Sequence, residues 1–303
     1  MRIRAVVAAI VVALLAGLAL AAPPASAASS YKKLALNVTG WQRQTHTLSS
    51  SLAAPLAAPG LPLPNAADGV GPGSYLLIDQ TDGNSYICTA NFVWSDPSGA
   101  TYLGAAGHCF LPADAVSAPT SNPGKYVTRV QACLSSCFFG GQLGAVVQGT
   151  FVDLGPVAYA RQSDGQGNDV GHDFGMVRIP ANVTPRLTVP VWGGPTGEAG
   201  GATGDRVCLY GNAAGLGELF ATRARAGVLG STHDGAWYAT IPSFEGDSGS
   251  AVVECPALSG TTGLGILTHL ATDGTGVIAG TLISQVKAMV AADTGNSISL
   301  VHA

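Results

Sequence analysis

From Ser74 onward the chain is a succession of short runs rich in Val, Ile, Leu, Thr and aromatic residues, each cut off by Gly, Pro, Asn or Asp. The runs are Tyr75 to Ile78, Tyr86 to Trp94, Thr101 to Ala105, Tyr126 to Val130, Ala145 to Val152 and Phe174 to Ile179. After a Gly/Pro-rich stretch from Pro190 to Gly204 they resume with Arg206 to Tyr210, Leu219 to Leu229, Trp237 to Ile241, Ser250 to Val253, Leu264 to Leu270 and Val277 to Ala279. Such runs are too short for helices and are strand-like in composition. Gly83-Asn84 and Asp234-Gly235 fit hairpin turns. One helix is expected, about Leu282 to Ala292, with Leu282, Val286, Met289 and Val290 on one face. Two blocks of short strands and a single late helix predict an all-β molecule of two antiparallel barrels or sandwiches, residues 74–185 and 186–303.

The region before Ser74 reads differently. Arg2 and Arg4 precede an apolar run from Ala5 to Ala22, and Pro23-Pro24-Ala25-Ser26-Ala27 follows. A basic start, a short apolar stretch and a small-x-small tripeptide make a secretory signal peptide, residues 1–27, with cleavage after Ala27. Residues 28–73 are expected to be a pro-segment or linker. Their Ala/Leu/Pro run from Ser51 to Pro64 favours extended, solvated chain, although wrapping on the domain surface suits them as well. With 11% charged residues and 41 glycines, the composition is turn-rich and low in charge, which suits an all-β exported chain better than a helical one. A net charge of −4 offers no basic patch for nucleic acid. No other stretch is long and apolar enough for a bilayer, so no membrane contact is expected after signal removal. Nothing points to an oligomer, and a monomer is expected. The cysteines, Cys88, Cys109, Cys133, Cys137, Cys208 and Cys255, lack zinc spacing and read as disulfides whose connectivity the sequence leaves open. No metal and no cofactor is implied.

Three segments carry chemistry. Gly104-Ala105-Ala106-Gly107-His108-Cys109 is a strand running into small residues and a histidine. Gly171-His172-Asp173-Phe174-Gly175-Met176-Val177 places an aspartate before an apolar strand. Phe244-Glu245-Gly246-Asp247-Ser248-Gly249-Ser250 is a serine in a glycine-flanked turn. Each alone is an ordinary turn or a packed histidine. Together they supply nucleophile, base and orienting carboxylate in the chain order His, Asp, Ser.

On these segments the chain resembles the chymotrypsin/trypsin-like serine peptidase family, in its bacterial secreted branch, over about Ser74 to Val290. The resemblance implies two perpendicular barrels with a catalytic triad of His108, Asp173 and Ser248 between them. It implies an oxyanion hole from the amides of Gly246 and Ser248, and disulfides Cys88–Cys109 and Cys208–Cys255, with Cys133 and Cys137 left to close a local loop. Asp247 is expected to pair with a cation, for which Arg206 is the candidate in the right neighbourhood, although its position relative to Cys208 departs from the family pattern. Pro242, Ser243, Thr268 and His269 map to the specificity pocket. Pro242 stands where trypsin-like members carry aspartate, which argues against Lys or Arg preference, and His269 resembles the histidine by which glutamate-specific relatives hold a carboxylate. Asp169 is the reserve for Asp173, and His172 reads as a turn residue.

The function implied is a secreted serine endopeptidase acting on protein or peptide through an acyl-enzyme. Two rivals are a silent binding module on the same fold and an esterase. The intact set of three residues disfavours the first. The second lacks its Gly-x-Ser-x-Gly elbow on a strand-helix unit.

Overall fold

The computed structural model describes residues 31–38, 42–44, 69–139, 146–164, 167–212, 223–256 and 261–303. The expected signal peptide, the Ala/Leu/Pro run and the side chain of Cys137 lie outside the described residues.

In chain order the first strands are β1 (Tyr31–Lys33), β2 (Leu36–Val38), β3 (Gln42–Gln44), β4 (Tyr75–Gln80), β5 (Ser85–Thr89), β6 (Val93–Ser95) and β7 (Thr101–Ala105). β8 (Val127–Phe139), β9 (Val146–Asp153), β10 (Val157–Arg161) and β11 (Phe174–Arg178) complete the first half. The second half holds β12 (Arg206–Tyr210), β13 (Ala224–His233), β14 (Ala236–Thr240), β15 (Ala251–Glu254), β16 (Thr262–Ala271) and β17 (Val277–Leu282). A helix α1 (Ile283–Thr294) and a two-residue strand β18 (Ser299–Leu300) end the chain.

In the second half β16, β15, β12, β13, β14 and β17 follow one another, and pairing of β17 with β16 closes the ring into a six-stranded barrel. β12 shows how the sequence makes it. Val207 and Leu209 point into the barrel core with Leu229, Trp237 and Leu267. Cys208 and Tyr210, on the opposite face, join a second cluster with Phe92, Trp94 and Phe174 of the first half. From Val207 to Tyr210 both faces are buried, so that stretch is apolar instead of alternating. The β13–β14 hairpin turns on Asp234 and Gly235, at φ of 51° and 74°, the doubly left-handed turn that suits the twist of paired strands.

The first half wraps one core with two sheets, β2-β5-β4-β8-β9-β3 and β10-β11-β7-β6-β18. The expected run Tyr86 to Trp94 is split between them. At Asn91 the backbone amide turns to Gly104 O, and the side-chain oxygen accepts from the Phe92 amide and the Trp94 indole, so the chain leaves one sheet for the other. The mostly β architecture, with one closed six-stranded barrel, two further sheets where a second barrel was expected, and a late helix, is consistent with a chymotrypsin-like fold.

Cys88–Cys109 and Cys208–Cys255 are bonded, the two pairings the resemblance implied. Cys133 is disulfide-bonded as well.

Candidate active site

Local sequence places each of the three chemical side chains. β7 ends at Ala105 and gives way to a single 3-10 turn, Gly107–Cys109, that carries His108. A Cβ at Gly107 would lie 1.8 Å from Arg161 O, so only glycine lets this turn sit against the neighbouring strand. The Cys109–Cys88 bond ties the turn to β5. β11 pairs with β7, Gly175 opposite Ala105, which brings Asp173, at the head of β11, beside the histidine turn. The Asp173 amide donates to Thr281 Oγ1 (3.2 Å), and the Thr281 hydroxyl donates to Asp173 O (3.0 Å). This pins the aspartate backbone to the other half.

Ser248 sits between Gly246 (φ +97°) and Gly249 (φ +93°). A Cβ on Gly249 would meet Thr89 O at 2.3 Å, because the serine turn is wedged against the first half. There the Thr89 amide donates to Ser248 O (2.8 Å), and the Thr89 hydroxyl donates to Gly246 O (2.8 Å).

The three side chains form one hydrogen-bonded line. His108 Nδ1 is 2.7 Å from Asp173 Oδ2, and His108 Nε2 is 2.7 Å from Ser248 Oγ. The His108 amide also donates to Asp173 Oδ1 (3.1 Å). All three residues are buried. Burial by itself would raise the Asp173 carboxyl, but the facing His108, with His269 and Lys33 behind it, holds it down to about 2. As a carboxylate it only accepts, so Nδ1 carries the proton and the Nε2 lone pair faces the serine hydroxyl.

Asp247, fully buried, is gripped by Arg225, whose Nη1 and Nη2 reach its two oxygens at 2.7 and 2.6 Å. The Ser243 hydroxyl and the Phe244 amide add bonds at 2.9 Å each. Arg206, the candidate from the sequence, is instead an exposed residue of β12 whose guanidinium stands 5.9 Å over the Trp192 ring. A buried arginine at the start of β13 leaves no mark in a single sequence, which is why Arg225 went unread. Thr281 and Thr89 were missed for the same reason, being ordinary strand threonines until folded.

Of the residues assigned to the specificity pocket, Pro242 is exposed and offers its carbonyl to Arg225 Nη1 (3.0 Å). Ser243 turns to Asp247. His269 is buried with both ring nitrogens engaged, Nε2 with Ser163 Oγ (2.8 Å) and Nδ1 with Thr268 Oγ1 (2.6 Å). Burial lowers its pKa to about 3, against the attraction of Asp173, so it is neutral and offers no charge to a substrate carboxylate. His172 meets Gln285 (3.0 Å), and Asp169 accepts from the Asp164 amide (2.7 Å). Neither joins the line of three. The Gly246 amide donates at 2.6 Å to the carbonyl of Leu34, in the chain's own N-terminal region.

No protein-family model and no curated protein matches the chain. Among solved structures it is similar to protease A of Thermobifida fusca, 20% identical, over 78% of this chain and 100% of that one, with a TM-score of 0.43. It is similar to the protease Anisep of Arthrobacter nicotinovorans at 15% identity, over 76% and 99%, with a TM-score of 0.49. A chymotrypsin of Cellulomonas bogoriensis matches at 16%, over 77% and 100%, with a TM-score of 0.39.

Proposed function

We propose that the chain is an exported serine endopeptidase of the chymotrypsin-like family that cleaves peptide bonds through an acyl-enzyme on Ser248. One observation carries this reading: the unbroken line Asp173–His108–Ser248, with links of 2.7 Å.

A serine hydroxyl is a poor nucleophile until a base takes its proton. His108 Nε2 is within reach to do so as Ser248 Oγ attacks a carbonyl carbon, and to pass that proton to the departing amine. Asp173 keeps the required tautomer and stabilises the imidazolium that forms. Negative charge then gathers on the carbonyl oxygen, where the amides of Gly246 and Ser248 serve as donors. One such donor contributes about 3 kcal/mol to the transition state. Gly246 takes a left-handed backbone that a side chain would disfavour, and the Arg225–Asp247 pair supports the turn. Water repeats the sequence on the ester and frees the enzyme. Export fits the leader at residues 1–27 and the disulfides, which persist in oxidising compartments.

The test is hydrolysis of an unfolded protein substrate carrying self-quenched dye. The wild-type chain is expected to release fluorescence. Ser248→Ala and His108→Ala, if folded, should fall by at least about 10³-fold. Equal rates in all three would refute the assignment.

A further inference from the structure

Residues 31–38 do not wrap the surface at random. β1 pairs antiparallel with the end of β16, Tyr31 opposite Ala271, Lys32 opposite Leu270 and Lys33 opposite His269. β2 pairs antiparallel with β5, Leu36 opposite Ile87, Asn37 opposite Tyr86 and Val38 opposite Ser85. β16 belongs to the serine half, and β5 to the half that carries His108. The segment therefore crosses the cleft between them, hydrogen-bonded to an edge on each side. At the crossing point Leu34 presents its carbonyl to the Gly246 amide at 2.6 Å.

The side chains of the segment are received as well. Leu34 is only 1% exposed and joins the apolar cluster of Leu209, Trp237 and Leu267. Tyr31 packs against Tyr238 and, edge-on, against His269. Lys32 forms an ion pair with Glu245, and the Lys33 ammonium donates to Gln162 Oε1 (2.6 Å) and Ser163 O (3.1 Å). Ala35, beyond the crossing point, packs on the first-half core.

We infer that residues 31–38 are a substrate of the chain's own active site, and that the Leu34–Ala35 peptide bond is the one cut. The inference rests on the proposed peptidase function. It also names the substrate class, an extended peptide with a leucine-sized apolar residue on the acyl side of the cut bond. Ser248 Oγ adds to the Leu34 carbonyl carbon while its proton moves to His108 Nε2. The C–N bond to Ala35 breaks, and the proton from His108 leaves on the Ala35 nitrogen as a free amine. Water then adds to the Leu34 ester, giving one proton to His108 and its hydroxyl to the acyl carbon. Collapse returns the proton to Ser248 and leaves Leu34 with a carboxylate. The uncut chain already holds what this step needs, because Asp247 has its cation in Arg225 and does not wait for a new terminal amine.

The experiment is intact-mass and terminal-peptide mass spectrometry on the full chain as wild type, Ser248→Ala and Leu34→Asp. Each is also exposed to a fluorophosphonate probe. The wild type is expected to yield a chain beginning at Ala35 and a fragment ending at Leu34. Ser248→Ala should stay uncut at this bond. Leu34→Asp should also stay uncut there, yet take the probe at Ser248, since the charged residue no longer anchors the strand across the cleft. A synthetic peptide of residues 31–38, offered to the wild-type chain, should be cut between the same two residues even if Leu34→Asp fails to fold. An intact Leu34–Ala35 bond and an intact peptide, in a preparation whose Ser248 takes the probe in either chain, overturn the inference and leave the peptidase reading standing. Chains that are uncut and unlabelled throughout overturn both.

Discussion

Arg225 and Asp247 are the residues on which the serine turn depends most. Both are buried, with side-chain exposures of 7% and 0%, and the pair is bidentate. Removing one partner from such a pair strands the other charge, at a cost of about 3–5 kcal/mol. Arg225→Ala is therefore expected to lower the urea midpoint and to depress kcat, because the Gly246 amide loses its support. Arg206→Ala, at the exposed first residue of β12, should leave both within error.

His269 predicts a pH effect at the same scale. Its folded pKa of about 3 lies below the ordinary 6.5, so below pH 6.5 the unfolded chain takes up a proton that the native chain refuses. This contribution to stability is full above pH 6.5 and drains away as pH falls toward 3. Asp173, His108, Lys33 and Asp164 all act on this ring. The comparison should be made in Ser248→Ala, which keeps β1 over the ring. Between pH 7 and 4.5 that chain should lose about 2 kcal/mol more than its His269→Gln derivative. Equal losses in urea titrations would mean that the ring is not held neutral.

Among the elements, the histidine turn is short and owes its position to its neighbours. The Cys88–Cys109 bond closes a loop with a sequence separation of 21, worth about 3 kcal/mol. Replacing both cysteines with alanine should lower the urea midpoint accordingly and reduce kcat, with KM less affected, since the bond ties the His108 turn to β5. Elements built on local signals were readable in the sequence. The Asp234-Gly235 hairpin fell where its left-handed residues demanded, and α1 appeared within two residues of its expected span. Elements that exist only through a distant partner were not. β1 and β2 lie in a stretch of mixed polarity and become strands because the cleft supplies two unpaired edges. β18 is two residues long and forms because β6 is beside it. β10, with two alanines in its five residues, has weak strand propensity of its own. For the site, His108, Asp173 and Ser248 were legible because their turns need particular small residues around them. Arg225 and Thr281 were not, since a buried partner is defined by what folds against it.

At the scale of the whole molecule, the two halves share one apolar cluster. Phe92, Trp94 and Phe174 from the first meet Tyr210, Val253 and Ile266 from the second, and Val286, Met289 and Leu300 from the chain end close over them. Tyr159 and Arg161 of the first half also bind Asp293 on α1. This junction fixes His108 and Asp173 on one half against Ser248 on the other, so the hydrogen-bonded line of three belongs to neither half alone. The proposed function requires the assembled line to make Ser248 a nucleophile. Its most direct test is labelling of the folded chain with a fluorophosphonate, followed by mass spectrometry of the labelled peptide. Modification of Ser248, lost in His108→Ala, is the predicted result. Folded chain that stays unlabelled in the wild type and in Leu34→Asp, where the strand no longer fills the cleft, would contradict the claim.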